Sequence, residues 1–66
     1  MLSNLSIGTL IKLPTFYLSG NDFLKKGSVG MVVNNKHYVV YHVFINGKKI
    51  DILKDYVENH IDTIIL

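Results

Sequence analysis

The sequence predicts an all-β fold in which five short strands curl into a small barrel. Three observations predict it. Apolar runs rich in β-branched and aromatic residues recur between clusters of Gly, Asn, Pro and Ser. Asn46-Gly47 stands between two such runs, the strongest short-range hairpin signal a sequence offers. No stretch carries the 3.6-residue periodicity of a long amphipathic helix. At 66 residues the chain holds one domain, spanning 1–66.

The elements follow in order. Residues 7–13 form a first strand, closed by Pro14, which cannot donate to a ladder. Residues 15–26 are a long connection with a turn at Ser19-Gly20-Asn21-Asp22. Its Phe16, Tyr17, Leu18, Phe23 and Leu24 make it too apolar for a loose linker, so it folds back over the core as a hairpin-like lobe. Residues 27–33 form a second strand, in which Gly27 and Gly30 allow sharp bending or close backbone approach. After a turn at Asn34-Asn35-Lys36, residues 37–45 form the third strand and residues 48–53 the fourth. Residues 54–59 suffice for one 3₁₀ turn, and residues 60–66 close as the fifth strand.

A sheet this small must curl or leave long edges open, and this order of elements is that of an SH3-like barrel. Strands two, three and four form a meander, and strands one and five close it. Alternation along the third strand turns Val39, Tyr41, Val43 and Ile45 inward, joined by Ile11, Leu13, Val29, Met31, Val33, Ile50, Ile52, Leu53, Val57 and Ile64. Tyr38, Val40 and Phe44 then face outward. Either a partner covers them or the long connection does.

Gly8-Thr9-Leu10-Ile11-Lys12-Leu13, then Gly27-Ser28-Val29-Gly30-Met31-Val32-Val33, then Tyr41-His42-Val43-Phe44-Ile45-Asn46-Gly47-Lys48, then Leu53-Lys54-Asp55-Tyr56-Val57 occur in that order. Nearly the whole chain resembles the small SH3-like barrel proteins of tailed bacteriophages, particularly the marine cyanophage type. Ile45 stands where that family has Trp, and Asn46 where it has Asp, so the packing beneath the turn must differ. Many members of that group have no assigned function and others are virion or assembly components, so the resemblance implies a phage setting more strongly than any activity, since fold alone does not settle function.

Composition narrows the chemistry. Cys is absent, which excludes a disulfide, a thiolate metal site and a Cys nucleophile. Partner subunits are then the most available extra stabilisation for so small a core. The cations are all lysine, with no Arg, and the net charge is +2. Without the guanidinium fork, sequence-specific base reading is disfavoured. The abundance of Lys, Asn and Ile with no Ala or Arg reads as an AT-rich genome. No apolar run nears the roughly 18 residues of a membrane span. The first residues lack the pattern of a signal peptide, so the expected location is the host cytoplasm or the virion.

With a two-residue turn, His42 pairs across strands with Asp51, an arrangement able to orient a catalytic His but far more often an ordinary surface pair, which is the reading preferred here. His37 and His42, an odd number of positions apart on one strand, point to opposite faces, which argues against a shared metal. No cofactor and no enzymatic activity are expected. Polyproline recognition has Phe16, Tyr17 and Tyr56 but neither Trp nor an acidic loop, Asp22 being its only acid. A KOW- or Tudor-like nucleic-acid module is the alternative, with Lys25, Lys26, Lys36, Lys48 and Lys49 as contacts and Tyr38, Tyr41 and Phe44 as stacking platforms. The preferred reading is a protein-interaction or virion-assembly module. Its partner surface is Tyr38, Val40 and Phe44 together with Ile64, Ile65 and Leu66, an apolar run that one strand cannot bury whole.

Overall fold

The computed structural model describes residues 4–60 and 64–65. Among these residues the elements in chain order are β1 (Leu10–Lys12), β2 (Tyr17–Ser19), β3 (Asp22–Leu24), β4 (Val29–Asn34), β5 (Val40–Ile45), β6 (Lys48–Leu53), α1 (Lys54–Glu58) and β7 (Ile64–Ile65). The chain is all-β with antiparallel pairing throughout. Five strands form one sheet in the order β6-β5-β4-β1-β7, and β2 and β3 pair as a separate hairpin.

The meander of β4, β5 and β6 follows the sequence expectation. Asn46 and Gly47 both take positive φ, 53° and 79°, as a two-residue turn between right-twisted strands requires. Ile45 therefore pairs with Lys48 and His42 with Asp51.

Barrel closure is not reached: among the described residues the ladder ends at β6 and at β7, with no pairing between them. Side chains of the hairpin occupy the β6 edge instead. The Leu53 N–H donates to the Tyr17 hydroxyl oxygen at 3.0 Å, and Ser19 Oγ donates to the Asp51 carbonyl at 3.1 Å. Lys48 Nζ meets Asp22 Oδ1 at 2.8 Å. Polar groups that would otherwise be open to another strand are thereby engaged. The long connection does fold back, but onto this edge, and it sends Leu24 into the core.

The core is Ile11, Leu13, Leu24, Val32, Tyr41, Val43, Ile45, Ile50, Ile52 and Val57. Along β4 the expected phase is reversed. Gly30 pairs with Ile45 and Val32 with Val43, so Gly30 and Val32 turn inward while Val29 and Met31 turn out. Paired residues share a face, and the inward side chains of β5 lie directly over Gly30. A Cβ added there would stand 2.6 Å from Val43 Cγ1, so the missing side chain is what admits β5. The pairing then slips between Val32 and Asn34, a bulge that leaves Val33 unpaired and half-buried. Leu53 follows inward Ile52 and is therefore exposed, and Val39 precedes β5 in a bend and is exposed as well.

The segment after β6 is an α-helix rather than the expected 3₁₀ turn, because Asn59 N–H closes onto Asp55 O at 3.0 Å, an i→i−4 bond. Asp55 in its first turn suits the helix dipole, and Val57 is buried against the sheet. The helix starts on a buried cation. Lys54 Nζ donates to Asn4 Oδ1 at 2.8 Å and to the Asn35 carbonyl at 3.1 Å, and lies 5.0 Å from the centre of the Tyr41 ring. The Tyr41 hydroxyl accepts from Leu5 N–H, and Asn35 Nδ2 donates to Leu5 O at 2.7 Å. Lys54, Tyr41 and Asn35 together hold residues 4 and 5 against the sheet.

Candidate interaction surface

One face of the five-stranded sheet packs on the core. On the other face, the pairings Ile65–Leu10, Leu10–Met31, Met31–Phe44 and Phe44–Lys49 place five side chains in one row across all five strands. The first four are apolar, and they remain 38%, 38%, 39% and 51% exposed in that order. Val29 adds to the row from β4, beside exposed Lys12 of β1. Isolated exposed apolar residues are ordinary, but a continuous apolar stripe spanning a sheet is the pattern of a contact surface.

The residues expected at a partner surface divide. Phe44 and Ile65 belong to the row, at positions separated by Leu10 and Met31. Ile64 pairs with Ile11 and packs half-buried against the core. Leu66 lies outside the described residues. Val40 is half-buried at the start of β5, opposite Leu53, and the His42–Asp51 pair separates it from the row. Tyr38, 87% exposed, precedes the strand and stacks on His37 with centroids 5.1 Å apart. Leu10 and Met31 were missed by sequence reasoning. The β4 phase hid Met31, which turns outward once Gly30 is placed inward, and the β1–β4 register then sets it beside Leu10.

Across the sheet, His42 Nε2 stands 3.4 Å from Asp51 Oδ1 on the solvent-facing side. The expected cross-strand pair forms on an open surface rather than in an enclosed pocket. His37 does not point away from His42 as expected. The strand begins only at Val40, and His37 sits in the preceding bend, where its ring lies 6.2 Å from that of His42. Nδ1 of His37 accepts the Val39 and Val40 amides at 3.0 and 3.3 Å, which pins the bend. Among the described residues no three His, Asp or Glu side chains gather as a metal site requires.

The lysines do not converge. Lys25 and Lys26 are exposed just after β3, Lys36 is exposed before the His37 bend, and Lys49 ends the apolar row. Lys48 is engaged by Asp22, whose hydrogen bond and charge hold its ammonium pKa above the ordinary lysine value. Tyr41 is buried and offers no stacking platform. Of the aromatic residues expected at a peptide groove, Tyr17 and Tyr56 meet edge to face, with centroids 4.8 Å apart. Phe16 leaves them and stacks on Phe23, at 5.8 Å and 21° between planes. The Tyr56 hydroxyl is shut off from solvent with no hydrogen-bond partner. That burial, with the Tyr17 phenol adding to it, pushes its pKa up. The Thr15 backbone nearby pulls the other way by more than Tyr17 adds, without completing a hydrogen bond of normal geometry, and burial prevails.

No family model matches the sequence, and no curated protein or solved structure is similar to it.

Proposed function

We propose that the chain is a non-enzymatic protein-interaction module on an SH3-like strand arrangement, meeting a second copy or a larger phage assembly through the outer face of its sheet. The observation that carries this reading is the row Ile65-Leu10-Met31-Phe44, apolar across four adjacent strands and open to solvent. Burying such a stripe against another protein gains roughly 25 cal/mol per Å² of apolar surface removed from water. The SH3-like assignment is supported by the sheet order β6-β5-β4-β1-β7, the hairpin after the first strand and the helical turn before the last. The non-enzymatic reading is supported by the placement of His42 and Asp51, which face water where an ion pair is well screened.

Light scattering on the eluting chain at micromolar concentration tests the proposal. The expected result is a mass above the monomer that returns to the monomer on Phe44→Glu, with the circular dichroism spectrum unchanged. A monomer at every concentration, indifferent to Phe44→Glu, sinks self-association. Mass spectrometry of purified virions then asks whether the partner is a phage assembly. The nucleic-acid alternative gains one specific observation, on the hairpin rather than on the sheet.

A further inference from the structure

The β2–β3 hairpin has two sides with opposite fates. Tyr17, Ser19, Asp22 and Leu24 turn toward β6 and the core, where each is engaged. Alternation turns Phe16, Leu18 and Phe23 the other way, and they stay 55%, 62% and 57% exposed. The Phe16 and Phe23 rings lie near-parallel to each other on that side. Lys25 and Lys26 follow Leu24 directly at the base of the hairpin, and both are exposed. The one carboxylate of the hairpin, Asp22, is directed to the body and held by Lys48. The outer side thus carries two exposed rings, and the charged side chains exposed at the base of the hairpin are both cations.

We propose that this side of the hairpin binds single-stranded nucleic acid, with Phe16 and Phe23 as the platform for two bases and Lys25 and Lys26 as phosphate contacts. Exposed ring faces stack any base, and lysines attract the backbone without reading sequence. Arg is absent, so the site has no fork for guanine edges and binds without sequence preference. A duplex keeps its bases stacked on one another and leaves the rings nothing to stack on. A lipid surface fits less well. The tip of the hairpin is Gly20-Asn21, so polar turn backbone would have to enter the membrane with the rings.

The proposal stands apart from the outer-face reading, since it is read by oligonucleotide binding and not by mass, and either can fail with the other intact. Its test is fluorescence polarisation of labelled oligo-dT and oligo-U with the intact chain, from low to moderate salt. Two phosphate contacts predict that log affinity falls against log salt with a slope of about −1.4. Phe16→Ala and Phe23→Ala should each weaken binding about 5- to 150-fold. Lys25→Glu with Lys26→Glu should abolish the salt dependence along with most of the affinity. All four side chains are exposed, so circular dichroism and melting should stay at wild-type values and keep the comparison valid. No binding at low salt overturns the proposal. So does binding indifferent to both Phe substitutions, a preference for duplex, or capture by phosphatidylglycerol vesicles without any by oligonucleotide.

Discussion

Gly30→Ala should be among the most damaging single-atom additions to this chain. The new Cβ would lie 2.6 Å from Val43 Cγ1, 2.9 Å from Ile45 Cβ and 3.0 Å from Phe44 O. Carbon atoms sit comfortably at about 3.5–4.0 Å, so the overlap approaches an ångström. Rotating the Val43 side chain relieves only the first contact. The other two involve a Cβ and a carbonyl fixed to the β5 backbone, so β4 and β5 must separate. Overpacking costs about 1–3 kcal/mol, and so rigid a site belongs in the upper half, about 2–3 kcal/mol. A domain of this size melts about 4–8 °C lower per kcal/mol lost, which gives a fall of about 8–24 °C. Urea unfolding followed by circular dichroism measures the loss directly. Val29→Ala, one position away but outward, should change stability by less than about 0.5 kcal/mol. If Gly30→Ala is neutral and Val29→Ala is costly, β4 runs in the opposite phase and the outer row does not exist.

Two further substitutions probe a buried cation and a buried phenol. Lys54→Met removes the donor to Asn4 Oδ1 and Asn35 O, and should cost about 1–3 kcal/mol, with faster hydrogen exchange at the Leu5 amide. Wild-type exchange at Leu5 in that variant would show that residue 5 is held some other way. Tyr56 keeps its proton to higher pH in the folded chain than in the unfolded one. Its contribution is therefore full below the ordinary phenol value of about 10 and declines as pH rises from there through the raised folded value. Lys48, also raised, acts in the same direction, so stability should fall on the alkaline side. Tyr56→Phe should flatten that decline while costing little at neutral pH, because the hydroxyl it removes has no hydrogen bond. Alkaline urea titrations superimposable on wild type would contradict this.

Much of the fold was legible where local chemistry and packing agree. Asn46-Gly47 admits one short turn, and that turn sets the β5–β6 register and with it the His42–Asp51 pair. The β5 face of Tyr41, Val43 and Ile45 is the core face because its alternation continues into Ile50 and Ile52. Legibility failed where a distant partner overrides local pattern. Val29, Met31 and Val33 are more apolar than Gly30, so the sequence favours them as core, yet the β5 side chains need the space Gly30 leaves. The bulge at Val33 leaves no mark in composition. Lys54 is buried because neutral oxygens from residues 4 and 35 converge on it, a long-range event that no local window contains. His37 looked like a strand residue among Val and Tyr neighbours, but its ring caps the Val39 and Val40 amides and holds the chain in a bend. For the surface, Phe44 and Ile65 were legible from alternation alone. Leu10 and Met31, which connect them into one stripe, required the register.

Self-contact through the outer row is tested most directly by amide NMR spectra recorded over a dilution series. The predicted result is a set of concentration-dependent shifts confined to Leu10, Met31, Phe44, Ile65 and their neighbours, absent in Phe44→Glu. Spectra that do not change with concentration, or shifts that gather on the hairpin or the β6 edge instead, would contradict it.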